Sequence, residues 1–264
     1  MTRASAAASG AGSRRNGSSS KAGGAGQARG YFARSELPLV SLAFVLPFVI
    51  LYEVGTWYFT ADPMRQTEQR IIAFNLMQEF FALFGASGRY LPAMAVVLIL
   101  LSWHVARQDP WRVEPRYLAG MLAESAVLAV PLVVMGFVVT QYMEQYLPLF
   151  ASRRTGSLVV LSIGAGIYEE LVFRLAAFTV LSFVLVDLMG MKRVWAGLAM
   201  VVISSLLFSL YHYLGAERFD LRTFSFRTAA GCYFGTVFAF RGFGITAGTH
   251  AAYDLLIVAL RTLA

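Results

Sequence analysis

The chain has 264 residues, a net charge of +7, and hydrophobic side chains at 58% of its positions. Only 14% of the residues are charged, whereas soluble domains are about one-quarter charged. With a mean hydropathy of +0.62, this composition excludes an ordinary soluble protein and predicts an all-α, polytopic membrane helix bundle. The single cysteine, Cys232, excludes an internal disulfide and a cysteine-based metal site.

The first stretch of the chain is a basic tail, which we place at residues 1–34. Residues 1–30 are mostly Ser, Gly, Ala and Arg with little to bury, so they predict disorder. The tail contains no apolar h-region, so we do not interpret it as a cleaved signal peptide. Its positive charge before the first span predicts a cytoplasmic N-terminus.

Seven apolar segments follow, and we interpret them as membrane-spanning helices of one domain, residues 35–264. They cover residues 37–59, 90–106, 117–142, 158–189, 195–214, 223–240 and 249–261. The fourth is long for one span, so the count becomes eight if it breaks near Arg174, although we favour one long helix. Residues 62–89 predict an amphipathic helix at the interface, and residues 242–248 predict a flexible turn.

The fourth span contains an unusual cluster of charges. Glu170 and Arg174 are four residues apart, so they share a helix face and are expected to pair. Glu169 points about 100° away from Glu170 and has no local partner. A lone carboxylate in a dry site suits proton transfer. The alternative is a structural salt bridge that fixes helix packing.

Glu53 and Glu124 also fall inside predicted spans. We expect Glu53 to pair with a neighbouring helix. Glu124 is expected either to pair with Arg116 or to approach the charges at 169–174. Each carboxylate is costly in an apolar span, so partners are expected.

Two other pairs of residues, each containing a histidine, occur at helical spacing in the C-terminal half. Phe208 and His212 share one helix face, and His250 and Asp254 share another. Each of the polar side chains is costly alone in an apolar span. We therefore expect them to meet the charges of the fourth span in one polar pocket. Such a pocket permits water activation with oxyanion stabilisation, binding of a divalent metal such as zinc, or a proton relay. No Gly-x-Ser-x-Gly or His-Glu-x-x-His motif is present.

Three motifs in chain order resemble those of the CPBP family, the CAAX-protease and bacteriocin-processing (Abi) family of intramembrane proteases: Glu169-Glu170-x-x-x-Arg174, Phe208-x-x-x-His212 and His250-x-x-x-Asp254. The resemblance covers residues 158–262. It implies a multi-helix endopeptidase of the glutamate type that cleaves a membrane-anchored protein or peptide without a cofactor. Nucleic acid is not expected as a partner, because no basic stripe with interleaved aromatic residues occurs.

The resemblance also implies a role for each motif residue. Glu169 is the general base that activates water with help from His212, and His250 stabilises the oxyanion with Asp254. The supporting residues are Glu170, Arg174 and Phe208. Many relatives carry Asn at the position of Asp254, and Asn can donate a hydrogen bond to an oxyanion, whereas ionised Asp cannot. We therefore expect Asp254 either to stay protonated or to orient His250 and favour its charged form.

Two alternative functions use the same residues. One is a metal-dependent protease, and the other is a non-catalytic membrane scaffold or proton-coupled carrier. The predicted spans also raise a geometric problem, because His212 ends one span and His250 begins another, with one span between them. They are expected at opposite faces unless a cavity, a re-entrant turn at 241–248, or a wrongly assigned span brings them together.

Overall fold

The structure is a computed structural model that describes residues 30–62, 67–68, 70–140, 155–215 and 217–263. The helices are α1 (Tyr31–Ser35), α2 (Pro38–Gly55), α3 (Ile72–Leu83), α4 (Leu91–Arg107), α5 (Pro115–Thr140), α6 (Thr155–Gly164), α7 (Ala177–Ser182), α8 (Arg193–Tyr211) and α9 (Leu221–Leu263). Between α2 and α3, the two-residue strands β1 (Ala61–Asp62) and β2 (Thr67–Glu68) pair antiparallel.

Wide π-helical turns and one tight turn lengthen these helices. The π-helical turns are Thr56–Thr60, Ala165–Glu169, Leu171–Ala176 and Phe183–Leu188, and the 3₁₀ turn is His212–Leu214. They make the stretch from α6 through α7 continuous, so the single long fourth helix that we favoured is confirmed. Such π-helical turns occur frequently at functional sites.

Within the described residues, five helical stretches are long and apolar enough to cross a membrane. They are Pro38–Thr60, Pro115–Val138, Thr155–Leu188, Arg193–Leu214 and Leu221–Leu260. The expected seven to eight spans are therefore not confirmed. Helix α4 has only 17 residues, and a span needs about 20. The last two predicted spans both lie in α9, on either side of a break in the helix at Gly242.

Helix α9 turns back on itself at Gly242. This residue has φ 72° and ψ −175°, a conformation that glycine adopts without steric cost. Phe234 and His250 lie equally far on either side of it, so a straight helix would separate them by about 24 Å. Their rings instead stack with centroids 4.4 Å apart. Residues 221–241 and 243–263 are thus two arms of α9 that lie side by side where Phe234 meets His250.

The break at Gly242 corrects the predicted turn at 242–248. The turn takes a single residue, and helix resumes at once, with the Thr246 hydroxyl donating to the Gly242 carbonyl at 2.8 Å. His250 therefore lies inside its helical arm and not at the start of it. The rings of His212 and His250 lie 5.1 and 6.0 Å from that of Phe208, so the predicted separation of the two histidines at opposite faces was wrong.

The C-terminal arm of α9 packs very closely against the helix that carries the two adjacent glutamates. A Cβ atom on Gly166 would lie 2.7 Å from the Ala247 carbonyl oxygen and 2.7 Å from both the backbone nitrogen and the Cβ of Ala251. Only a residue without a side chain fits this approach, which is the usual device for close helix contact in membranes. The contact brings the helix of Glu169 and Glu170 against the arm of His250.

A polar cluster ties α1 to the turn in α9. The Tyr31 hydroxyl donates to Glu124 at 2.6 Å, and Arg241 Nε donates to the same carboxylate at 2.6 Å. The predicted partners of Glu124 were therefore wrong, because the turn in α9 delivers Arg241 to α5, while Arg116 pairs with Glu114 at 2.6 Å. Helix α1 occupies the end of the predicted tail, and residues 1–29 of that tail lie outside the described residues.

A second ion pair joins α2 to the segment before α3. Arg70 contacts Glu53 at 3.0 Å, with both side chains largely buried. Glu53 is therefore paired as expected, but this partner lies in the connection before α3 and not on a neighbouring helix as predicted. The Tyr168 hydroxyl also donates to Glu53 at 3.3 Å. Helix α3 begins only at Ile72, so the expected helix over 62–89 is shorter than predicted, and the short strands occupy its start.

Candidate active site

The three sequence motifs meet in one pocket inside the helix bundle. The long α6–α7 helix contributes Glu169, Glu170 and Arg174, α8 with its 3₁₀ turn contributes Phe208 and His212, and the C-terminal arm of α9 contributes His250 and Asp254. The pocket is shielded from bulk solvent, since Glu170 and Arg174 are fully buried and Glu169 and His250 are 5% and 4% exposed. The predicted convergence of these groups is therefore what the fold produces.

Glu170 has two partners. Its Oε2 lies 3.1 Å from Arg174 Nε, as the four-residue spacing predicted. Its Oε1 lies 2.7 Å from Nδ1 of His250. Because a carboxylate accepts and a ring N–H donates, this hydrogen bond assigns the proton to Nδ1 and turns Nε2 of His250 toward the rest of the pocket.

Glu169 stands apart from the guanidinium. The hydroxyl of Tyr211 donates to Glu169 Oε1. The other oxygen, Oε2, is 3.7 Å from Nε2 of His250, and Oδ2 of Asp254 is 3.8 Å from the same nitrogen. These last two separations are ion-pair distances and too long for hydrogen bonds. The Nε2 atom of His250 therefore faces two carboxylates at ion-pair distance and is hydrogen-bonded to neither.

Aromatic rings enclose the Arg174 guanidinium. Its Cζ atom lies 4.7 Å from the centroid of Phe208 and 5.7 Å from that of Phe234. Its Nη2 donates to the Gly231 carbonyl at 3.0 Å. A cation over an aromatic face is attracted by the ring quadrupole, most strongly where water is excluded. Phe208 of the second motif thus packs over the charged guanidinium of Arg174, which belongs to the first motif.

His212 is more exposed to solvent than His250, the other motif histidine. Its Nδ1 donates to the Phe208 carbonyl at 2.8 Å, which leaves Nε2 of the neutral ring as an acceptor. The ring lies 4.3 Å from that of Tyr211 and 5.1 Å from that of Phe208. Among the described residues, no hydrogen bond or ion pair joins His212 to Glu169. The two meet through Tyr211, which contacts both.

Sequence reasoning missed two residues of the pocket, Tyr211 and Phe234. Tyr211 directly precedes the motif residue His212, but neighbours in an α-helix point about 100° apart, so helical spacing gave no reason to include it. Phe234 stacks on His250 only because α9 turns back at Gly242. Adjacency to a motif histidine was the one signal that could have identified Tyr211.

In the described part of the chain, no group of three or more His, Cys, Asp or Glu side chains is placed to hold a metal ion.

Five apolar helical stretches, together with a buried cluster of two acids, a guanidinium and an imidazole, define an integral membrane protein with a polar site in its helix bundle. Residues 151–256 match the family model described as "Rce1-like: Type II CAAX prenyl endopeptidase Rce1-like". This match confirms the resemblance to the CAAX protease family, and the family implies a protease. No curated protein and no solved structure matched the chain.

Proposed function

We propose that the protein is a glutamate-type intramembrane endopeptidase that hydrolyses a peptide bond in a membrane-anchored protein or peptide. The observation that carries this proposal is the unequal environment of two adjacent carboxylates. Glu170 is held by Arg174 and by His250 at hydrogen-bonding or ion-pair distance. Among the described residues, Glu169 accepts a hydrogen bond from a tyrosine hydroxyl and lies 3.7 Å from an imidazole nitrogen. A buried carboxylate that is not hydrogen-bonded to a cation is suited to accept a proton.

In this mechanism Glu169 takes a proton from a water molecule, and the hydroxide attacks the carbonyl carbon of the scissile bond. The Nε2 of His212 is the second acceptor that orients the water, because its Nδ1 is already committed to a backbone carbonyl. The carbonyl π-electrons move onto oxygen to give a tetrahedral oxyanion. The proton held by Glu169 then passes to the departing amine as the C–N bond breaks.

His250 is the proposed oxyanion donor. Glu170 holds its Nδ1–H at 2.7 Å, so the ring presents Nε2 to the pocket. In its protonated form the ring also carries an Nε2–H, the donor that a developing oxyanion needs. Asp254, 3.8 Å from this nitrogen, is proposed to orient the ring.

The site lies within the membrane-spanning helices, so the substrate must enter from the bilayer or from its surface. An extended peptide segment anchored in the membrane fits that requirement, whereas a folded soluble protein does not reach a site buried at this depth. The same proposal includes three further points: the N-terminus is cytoplasmic, residues 35–264 form one domain, and the reaction needs no cofactor.

The test uses purified protein in lipid vesicles with a panel of membrane-anchored reporter peptides, in the presence and absence of a chelator. Wild-type protein is expected to cleave a reporter with chelator present, and Glu169→Gln is expected to cleave none while keeping the wild-type melting temperature. The exposed Glu79 of α3 supplies the matched control, Glu79→Gln, which should cleave normally. Cleavage by Glu169→Gln at the wild-type rate would show that Glu169 is not the general base.

The same assay separates the two alternatives. Activity that chelation abolishes and a divalent metal restores would identify a metal-dependent protease. Normal cellular function of Glu169→Gln, together with no cleavage of any reporter, would identify a non-catalytic scaffold or carrier.

A further inference from the structure

Tyr211 is a buried polar residue of the pocket to which none of the three motifs assigns a role. It is the last residue of α8, and its side chain is largely buried, with 5% of the residue exposed. Its hydroxyl donates to Glu169 Oε1. It is therefore the side chain that holds the carboxylate proposed as general base.

The position of the Tyr211 ring is fixed by aromatic neighbours on two helices. Its centroid lies 4.7 Å from that of Phe173 and 6.1 Å from that of Phe208. On the other side the ring of His212 lies 4.3 Å away. Because an aromatic side chain has only two torsions, these contacts set the direction in which the hydroxyl points.

The hydrogen bond makes the two oxygens of Glu169 inequivalent. Oε1 is occupied by the Tyr211 hydroxyl. Oε2 lies on the side of His250, 3.7 Å from its Nε2, where Asp254 also points. A water between these groups would meet Oε2 and not Oε1. The side chain of Tyr211 thus decides which lone pairs of the carboxylate are open to the pocket.

We propose that Tyr211 is a positioning residue that anchors Glu169 by Oε1 and so presents Oε2 as the oxygen that takes the proton from water. This inference rests on the proposed proteolytic function and deepens it. Proton transfer depends steeply on geometry, and a displacement of about 1 Å in a reacting group can cost about a hundredfold in rate. A freely rotating Glu169 would lose that alignment.

The first experiment compares Tyr211→Phe with Tyr213→Phe in the reporter assay. The two tyrosines are two residues apart, and the Tyr213 hydroxyl donates to a backbone carbonyl, that of Asp220, at 3.0 Å. Tyr211→Phe is expected to lower kcat by about 10- to 100-fold, the range for a lost hydrogen bond to a charged group. KM should stay unchanged, because the hydroxyl contacts the enzyme's own carboxylate and not the substrate. Tyr213→Phe should keep the wild-type kcat.

The second experiment needs no substrate. A hydrophobic carbodiimide modifies protonated carboxyl groups, and mass spectrometry of the peptide that contains Glu169 measures the rate. A hydrogen bond to the ionised carboxylate favours that form, so Tyr211→Phe is expected to be modified at Glu169 several times faster than wild type. Tyr213→Phe should match wild type, and all three proteins should melt at similar temperatures.

The inference is overturned if Tyr211→Phe is modified at the wild-type rate, or if it cleaves reporters with the wild-type kcat. A lower kcat accompanied by a raised KM or an unfolded protein also overturns it, because that pattern describes a structural residue. Failure of the proposed function is distinguishable: Glu169→Gln would then cleave normally, or wild-type protein would cleave no reporter. In that event the modification rate alone decides whether Tyr211 controls Glu169.

Discussion

His250 Nδ1 and Glu170 Oε1 lie 2.7 Å apart, although the two residues are separated by 80 positions in the chain. The same carboxylate contacts Arg174 at 3.1 Å. One buried acid therefore joins the ion pair of the first motif to the imidazole of the third. We therefore expect removal of the Arg174 charge to disturb the hydrogen bond between Glu170 and His250.

Arg174→Ala is expected to destabilise the protein as well as inactivate it. It leaves Glu170 buried without its cation, and breaking a buried pair in this way costs about 3–5 kcal/mol. Expression level and melting temperature in detergent measure the effect. Arg193→Ala, at an exposed position of α8, is the control and should change stability by no more than about 0.5 kcal/mol. A well-expressed but inert Arg174→Ala protein would contradict the structural role of the pair.

Asp254→Asn is expected to retain activity, and Asp254→Leu to lose it by about 10- to 100-fold in kcat. The carboxylate is 3.8 Å from His250 Nε2 and partly exposed, so it orients the ring from a distance. An amide keeps the size and adds an N–H donor for the oxyanion, whereas leucine offers neither. Reporter cleavage by the two variants measures this. Equal loss in both would show that the negative charge of Asp254 is required.

Gly166→Ala is expected to push the C-terminal arm of α9 away from Glu169. The new methyl group would lie 2.7 Å from backbone atoms of Ala247 and Ala251, and overpacking of this kind costs about 1–3 kcal/mol. Both melting temperature and kcat should fall.

Gly197→Ala is the matched control for that change. Gly197 is also helical, and nothing lies within 4 Å of a Cβ atom placed there. Alanine favours a helix over glycine by about 0.5–1 kcal/mol, so this variant should melt at or above the wild-type temperature. A Gly166→Ala protein that behaves like Gly197→Ala would show that the helices can separate without consequence.

Arg241→Met is expected to loosen the turn in α9. Arg241 donates to Glu124 at 2.6 and 2.9 Å and to Glu36 at 2.8 Å, directly before Gly242. Loss of these charged hydrogen bonds from a partly buried site should cost about 2–3 kcal/mol. Thermal unfolding measures it.

Arg116→Ala removes a comparable ion pair at the surface. Arg116 pairs with Glu114 at 2.6 Å, and its side chain is 71% exposed. Exposed pairs contribute about 0–1 kcal/mol, so its melting temperature should stay close to wild type. Equal destabilisation by the two changes would count against a special role for Arg241.

Much of the fold followed from local pattern. The apolar runs predicted helices because an isolated helix satisfies its own backbone hydrogen bonds in lipid. The Glu170–Arg174 pair followed from four-residue spacing on one helix face. The span count did not follow, because α4 is short for a crossing and Gly242 makes a turn of one residue within a continuous run of helix. Local hydropathy does not distinguish such a turn from a longer loop.

The chain by itself determined that this is a helical membrane protein with costly polar groups in three motifs, since composition and helical periodicity are local properties. The tertiary structure decided the partners: His250 for Glu170, Tyr211 for Glu169 and Arg241 for Glu124. Each of these contacts joins residues far apart in sequence. The close approach at Gly166 brings His250 to Glu170, the turn at Gly242 brings Arg241 to Glu124, and the packing of α8 against the α6–α7 helix brings Tyr211 to Glu169. Periodicity places a side chain on a face of its own helix, and only packing selects the helix that the face meets.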